Sequence, residues 1–541
     1  MFAELPLAQN LTEPELVSLA VSLGATDVGG PLSVEERLVV DRAMEAERPS
    51  PDAIESARAS ILAGGDPLGE ELLRERPALQ RRSAGAFYTP MSIVEPMVEW
   101  ALEARPGRVV DAGCGSGRFA AAVARLAPNL EIVAVDTDPI ATLLTRAALA
   151  VLSASRAQVL QCDYTTLHLS STEGRTAFLG NPPYVRHHDL SPQSKAWAAW
   201  AGKMVGCPVS GLSGLHVYFY LATALHSKRG DVGCFVTSAE WLDVGYGAAI
   251  RDMLLNGLGV QSLHVLDSRE TPFDDAQATA IVACFEVGST SEIIRFRRVR
   301  TLRDLGHLDA GQPVPRQLFT RSERWTALLR PLREVNSTPQ AVPLGSIARI
   351  HRGIVTGGNE FFILTRARAR ELGLERWCRP AITDAHEILE SNGIIRDAPG
   401  RKLLLDIPRN LDRSQFPSLD AYLKQGEVPG NGRRAVAEGY ICSHRQPWWY
   451  LGRQDPPPIV ASYMARQAPA FASNLDRLAL VNIGHGLYPI QDLEPDLQVR
   501  LVHQLNAKRE AFRGEGRTYQ GGLEKFEPRE MEALLIERPD G

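Results

Sequence analysis

Asp111-Ala112-Gly113-Cys114-Gly115-Ser116-Gly117 stands between a short apolar run, Arg108-Val109-Val110, and a helical stretch at 119–126. A glycine turn between a strand and a helix lets the backbone bend tightly and approach a ligand with no Cβ in the way. The same alternation continues outward, with a strand at Glu131–Asp136, a helix at 139–152 and a strand at 157–160. Strand, helix, strand, helix, strand is the pattern of a doubly wound α/β sheet of Rossmann-like type. Further strands are expected at Thr176–Gly180, 231–237, 261–266 and 278–286, and after about residue 290 the rhythm is lost.

The acid that opens the turn narrows the ligand. Dinucleotide sites admit a pyrophosphate at the helix N-terminus, whereas Asp111 ahead of Gly113, Gly115 and Gly117 would repel phosphate and attract a cation. S-adenosylmethionine (SAM) carries a sulfonium and an ammonium and no phosphate. Asp136, at the end of the next strand, is placed to accept both ribose hydroxyls of an adenosine. At the end of the third strand, Asp163 is a candidate acceptor for the adenine amino group and Tyr164 a candidate cover for the ring.

Asn181-Pro182-Pro183-Tyr184 follows the strand ending at Gly180, and so falls at the carboxyl edge where such sheets hold ligands. Two prolines fix φ and remove two donors, leaving rigid carbonyl acceptors. The Asn181 side-chain oxygen and the Pro182 carbonyl can together accept both hydrogens of an exocyclic NH2, with Tyr184 stacked on the ring. Those contacts free the nitrogen lone pair for attack on a sulfonium methyl, so the chemistry needs positioning rather than a strong base.

The 541 residues suit two or three domains, and a composition of 44% hydrophobic and 23% charged residues is that of a soluble globular chain. No run of about 18 apolar residues appears, so no membrane span is expected. Met1 to Pro6 lacks the features of a signal peptide, which points to a cytoplasmic protein. Seven scattered cysteines without a C-x-x-C pair support neither a disulfide framework nor a zinc ribbon. His187-His188-Asp189 has no recurring partner ligands, and no metal is expected. The formal charge of −5 is uneven: residues 1–80 hold 15 Asp and Glu against 6 Arg and no Lys, and the first lysine is Lys195.

The expected organisation is a helical appendage (1–80), an α/β catalytic domain (81–300), a linker or helical connector (301–339) and an α+β domain of different texture (340–541) with a helical tail. Residues 340–480 carry 19 Lys and Arg against 14 Asp and Glu, a surplus consistent with phosphate contacts. Trp448-Trp449-Tyr450 reads either as a platform facing a groove or as a hydrophobic core strand.

These motifs resemble the gamma-class, TaqI-like adenine-N6 DNA methyltransferases of restriction–modification systems. The resemblance is strong over about 84–290 and looser over 340–541. Gly85-Ala86-Phe87-Tyr88-Thr89-Pro90 is similar to the group's N-terminal motif, which implies that Phe87, Tyr88, Thr89 and Pro90 meet the methionine end of SAM. Residues 233–241 with Tyr246 and Arg251 resemble later core motifs. Thr271-Pro272-Phe273 resembles the loop whose aromatic packs on the flipped adenine, a role thereby implied for Phe273. Residues 351–360 and 519–525 resemble the opening and closing segments of a target-recognition domain.

The resemblance implies a monomer acting on double-stranded DNA, with a separate restriction endonuclease or defence-system subunit as a further partner. Three other readings stay open: methylation of RNA or of a protein amide through the same tetrapeptide, a fused methylase and nuclease, and a catalytically silent DNA-binding module.

Overall fold

In a computed structural model the chain forms two compact units, Met1–Arg333 and Glu334–Gly541. The structure describes residues 11–77, 89–266, 279–322, 324–329, 341–429, 434–465, 468–512, 517–519 and 523–537. None of the described helices is long and apolar enough to cross a membrane.

The first unit is built on a nine-stranded sheet. Its strands are β1 (Arg108–Ala112), β2 (Glu131–Asp136), β3 (Ala157–Gln161), β4 (Thr176–Gly180), β5 (Val232–Ser238), β6 (Val260–Leu266), β7 (Ala280–Glu286), β8 (Ile293–Val299) and β9 (Gln312–Pro315). They lie in the order β3-β2-β1-β4-β5-β7-β6-β8-β9. The pairs from β3 to β5 are parallel, and β7 runs antiparallel between β5 and β6. Strand order reverses between β1 and β4, the switch point of a doubly wound sheet.

Four helices precede the sheet: α1 (Glu13–Ser22), α2 (Val34–Ala43), α3 (Pro51–Leu62) and α4 (Pro67–Glu75). Within it follow α5 (Met91–Glu103), α6 (Arg118–Leu126), α7 (Pro139–Val151), α8 (Pro192–Met204), α9 (Leu215–His226) and α10 (Ala248–Asn256). Alternate strand residues feed two cores, as a pleat of period two requires. Val109, Ala177 and Val282 pack with Ile93 and Met97 of α5 and Phe119 and Val123 of α6. On the other face Val110, Phe178 and Ile281 pack with Ala201 of α8, Tyr220 of α9 and Ile250 of α10.

The sequence of α7, Pro-Ile-Ala-Thr-Leu-Leu-Thr-Arg-Ala-Ala-Leu-Ala-Val, is apolar almost all round, which marks a helix covered on every side. The sheet covers one side. The other meets Leu16, Leu19 and Leu72 of the N-terminal helices, which bury Leu143, Leu144 and Ala147.

The one charge inside that helix, Arg146, is fully buried opposite the fully buried Glu36 of α2, Nε to Oε1 at 2.9 Å. Its remaining donors reach the Val28, Gly30 and Val159 carbonyls at 2.8–2.9 Å and Glu36 Oε2 at 3.3 Å. All five N–H donors of the fork are thereby used. Glu36 also accepts from the Ser33 N–H at 2.7 Å, so the same carboxylate starts α2 and neutralises α7. Gly29 adds a parallel bridge to Gln158 on β3. The segment expected as an appendage is thus packed into the catalytic unit.

The loss of rhythm after residue 290 is corrected, and the linker or short helical region expected over 301–339 holds, in its described part, short helices at Leu302–Asp304, Arg316–Arg321 and Trp325–Leu329 together with the strand β9. β8 alternates buried Ile294 and Phe296 with arginines, and β9 has two prolines among four residues. Charge and proline hid both strands from a search for apolar runs. The short helix Arg316–Arg321 continues from β9, and the first unit runs to Arg333.

The second unit contains a five-stranded sheet of Ala348–Arg352, Gly484–Pro489, Ile459–Ser462, Phe471–Asn474 and Ile394–Ile395, in that order. A four-stranded sheet joins Ile363–Leu364, Leu403–Leu405, Cys378–Ile382 and Ala479–Leu480. The helix Pro495–Ala507 buries Leu501, Val502 and Leu505. The helical tail expected there is corrected, since the strands Arg517–Tyr519, Leu523–Lys525 and Leu535–Glu537 follow it, the last paired with Ala341–Pro343. Trp448-Trp449-Tyr450 is neither an open platform nor a strand. Trp448 packs on Phe361 at 5.5 Å and donates to Glu427 Oε1 at 3.2 Å, and the Arg413 guanidinium lies 5.2 Å over the Trp449 ring.

Removing one member of the Arg146–Glu36 pair leaves a buried charge without its counterion. Glu36→Ala is therefore expected to destabilise the first unit by about 3–5 kcal/mol, read as a lowered urea midpoint. Glu36→Leu combined with Arg146→Met should recover most of that loss; a single variant as stable as wild type would remove the pair from the fold's foundations.

Candidate active site

A cavity of about 230 Å³ opens at the carboxyl ends of β1 and β4. Gly113, Gly115 and Gly117 of the turn above β1 have φ of 72°, 54° and 88°, a region that glycine alone enters freely. At Gly117 space is limiting as well, since a Cβ there would stand 2.9 Å from Thr145 Cγ2. Thr145 of α7 donates its hydroxyl to the Gly115 carbonyl at 2.9 Å. Gly113 and Gly115 line the cavity, and Gly117 stands behind them at the start of α6.

Asp136 lines the cavity at the end of β2. Its Oδ2 accepts from the Gly115 N–H at 2.8 Å and its Oδ1 from the Asp138 N–H at 3.0 Å. Each oxygen keeps a second lone pair that can face a ribose hydroxyl. Burial raises its carboxyl above the usual range, and the N–H groups of Asp138 and Gly115 work against that.

Asp111 is placed differently from the expectation. It is fully buried beneath the turn, outside the cavity lining, and its Oδ2 accepts from the Ala120 N–H in the first turn of α6 at 2.9 Å. Its Oδ1 is buried with no hydrogen-bond partner among the described residues. Burial pushes this carboxyl up to about 7, opposed by the Ala120 N–H. It lies below the floor of the cavity rather than in its wall.

Asp163 and Tyr164 both line the cavity. Asp163 Oδ1 accepts from the backbone and the hydroxyl of Thr165, each at 2.8 Å. Tyr164 is 2% exposed, shares a 2.9 Å hydrogen bond with Thr223 Oγ1 and stacks on Phe219 at 5.1 Å. Its ring therefore belongs mainly to the core. Phe219 also lines the cavity and was not singled out in the sequence, where it sits in the run Tyr218-Phe219-Tyr220 and no spacing says which ring turns toward a ligand.

Thr89 is in the lining and its carbonyl accepts from Arg118 Nη1 at 2.9 Å; Pro90 caps the start of α5. Phe87, Tyr88 and Phe273 lie outside the described residues. Two cations in the lining, Arg76 and Arg118, carry no motif that sequence reading could have caught.

Asn181 and Pro183 line the same cavity as the glycine turn. Gly180 makes this proximity possible, because a Cβ there would stand 2.4 Å from the Ala112 carbonyl at the end of β1. Pro182 is buried, and Tyr184 is half-buried and outside the lining, with its phenol pushed above the usual range by burial. The chain is then tied to α9, with Val185 O accepting from the Leu215 N–H at 3.0 Å.

This chemistry fits S-adenosylmethionine. The cavity has a carboxylate with spare acceptor capacity at the end of β2, aromatic surface from Phe219 and Tyr164, and a buried, half-satisfied carboxylate suited to a cation beneath its floor.

Comparison with known proteins agrees. Residues 323–540 match the family model of the Type II methyltransferase M.Eco57I, C-terminal domain, and residues 97–198 match the methyltransferase small domain, a span that holds both the glycine turn and Asn181. The Type II methyltransferase M.XamI of Xanthomonas campestris pv. amaranthicola is 38% identical over 533 residues, covering 97% of this chain and 98% of the relative. M.AccI of Acinetobacter calcoaceticus is 22% identical over 473 residues, covering 83% and 85%. The solved structure of the Type IIL restriction-modification enzyme MmeI in complex with DNA shares the fold, with a TM-score of 0.55 at 14% identity over 88% of this chain and 74% of that one. Similarity to M.XamI over nearly the whole length, joined to a cavity suited to the cofactor, makes this chain a member of the Type II methyltransferases, with S-adenosylmethionine as its methyl donor.

Proposed function

We propose that the protein is a DNA adenine-N6 methyltransferase of a restriction–modification system, which takes its target base out of the duplex and methylates it by direct transfer. The observation that carries this reading is the presence of Asn181 and Pro183 in the lining of the cofactor cavity. SAM, when bound, supplies an electrophilic methyl. The protein's part is to hold the target amine. The Asn181 side-chain oxygen and the Pro182 carbonyl accept its two hydrogens, and Tyr184 and Phe273 stack on the extruded ring. The resulting bias toward tetrahedral nitrogen turns the lone pair to the methyl, and the proton leaves to water.

At the cofactor, Asp136 takes the ribose hydroxyls, Thr89 with Phe87, Tyr88 and Pro90 borders the methionine end, and Asp163 with Tyr164 borders the adenine. Residues 340–541 read the duplex. That role is supported by the match to a Type II methyltransferase C-terminal domain and by the fold shared with MmeI, which was solved on DNA. A separate endonuclease is the natural partner of such a modification enzyme.

Single-molecule sequencing of DNA from cells expressing wild type or Asn181→Ala tests this directly. A sequence motif carrying N6-methyladenine is expected in the wild type alone, with SAM binding retained by the variant. If no motif is modified while SAM still binds, the adenine-N6 reading fails for this chain alone, and what is left is an RNA or protein-amide substrate, a missing partner subunit or a catalytically silent fold.

Asp111 gives a pH signature. Its folded pKa of about 7 lies above the ordinary carboxylate range, so this group favours folding below that range and the contribution is lost as pH rises through about 7. A cationic ligand above it favours the ionised form. SAM affinity should therefore rise between about pH 6 and 8 with proton release on binding, and Asp111→Asn should flatten the rise in calorimetry.

A further inference from the structure

The acidic N-terminal helices reach the cofactor turn at two points that differ from the contacts holding them on the sheet. At the first, Asp66 caps α4: its Oδ1 accepts from the Gly69 N–H at 2.9 Å. Its Oδ2 is thereby turned to the glycine turn, where it accepts from Ser116 Oγ at 2.5 Å and from Arg118 Nε at 2.7 Å. Arg118 passes the constraint on by donating Nη1 to the Thr89 carbonyl at 2.9 Å. One carboxylate so ties together a residue of the turn, the first residue of α6 and the segment that enters α5. Thr89, Gly115 and Arg118 all line the cavity. The approach is close enough that a Cβ at Gly69 would lie 2.4 Å from Ser116 Oγ.

The second point is Arg76, the residue that ends α4. Its guanidinium pairs with Asp138 and, at 2.7 Å, with Glu13 Oε1 of α1, and it lines the cavity beside Asp136 and Asp138. With Asp138 neutralised by Arg76, Asp136 is the carboxylate left to a ligand at that end. Asp136 is itself held by backbone N–H groups.

We propose that residues 13–77 form a wall of the cofactor site, with Asp66 and Arg76 as positioning residues that set the shape of the glycine turn and the charge around Asp136. The contacts that hold these helices on the protein lie elsewhere, in the Arg146–Glu36 pair and the apolar cluster with α7. Loss of the Asp66 or Arg76 contacts therefore acts on cofactor affinity and leaves the fold in place.

Asp66→Asn is the discriminating variant, since asparagine keeps the helix cap and the volume while removing the charge that holds Ser116 and Arg118. On the full chain, calorimetry with SAM should show Kd raised about tenfold or more, the scale of a lost charge-assisted hydrogen bond. KM for SAM should rise in step, kcat at saturating SAM should stay within about twofold, and the melting midpoint of the free protein should stay near wild type. Arg76→Gln should behave alike, with Arg76→Lys recovering part of the affinity because it restores a cation beside Asp138. The proposal is overturned if Kd stays at the wild-type value in both Asp66→Asn and Arg76→Gln. It is equally overturned if lost affinity tracks a lowered melting midpoint, or if kcat falls while KM stands, since the helices are then a brace and no part of the site.

Discussion

At the centre of the first unit the ends of two strands touch backbone to backbone. Gly180 brings β4 against the Ala112 carbonyl of β1, and any side chain at 180 would force the two apart. Beyond that contact the chain leaves β1 toward α6 on one face of the sheet, and leaves β4 toward α8 and α9 on the other. The crevice between the departing segments is the cavity, and its width is fixed by the missing Cβ. Reaction by positioning tolerates little change in such a width, because displacement of a reacting group by an ångström is costly in rate. The turn and the tetrapeptide thus depend on one another although 70 residues apart.

Charge follows the same logic of internal fastening. Two carboxylates of the N-terminal segment pair with arginines of the sheet unit, Glu36 with Arg146 and Asp66 with Arg118, and Asp138 pairs in return with Arg76. Arg146 uses every donor of its fork, and Arg118 bridges a carboxylate and a carbonyl. A lysine has three donors on a single atom and could not make the five bonds of Arg146, which gives a structural use to arginine at that position ahead of Lys195. In this region arginine works as an internal cross-link.

The sheet was legible in the sequence as far as β7 because strands buried on both faces are continuous apolar runs, in the parallel set β1 to β5 and in the antiparallel β6 and β7 alike. The glycine turn and Asn181 were legible because their chemistry needs rare residues at the ends of such strands. The place of Asp111 was not legible, since a one-dimensional pattern does not separate a carboxylate in a wall from one under the floor. Arg76, Asp66 and Phe219 were not legible at all: only the packing of α4 and α9 brings Arg76 and Phe219 to the cavity and Asp66 to Ser116 and Arg118 behind it. β8 was lost to its arginines and β9 to its prolines, both signs of a strand with one side turned away from the core.

Those prolines bear on how copies of the protein meet. A sheet ends in rows of unpaired N–H and C=O groups that can recruit a strand from another molecule. On the β9 side Pro313 and Pro315 remove two donors from the outermost strand. On the β3 side the Gly29 carbonyl takes the Val159 N–H, and the chain around it lies along the strand. Both margins of the nine-stranded sheet are thus interrupted as templates, one by composition and the other by a segment from outside the α/β pattern. A version of the chain trimmed to its α/β core would lose the bond from Gly29, between α1 and α2, and reopen the β3 margin to a strand from another copy.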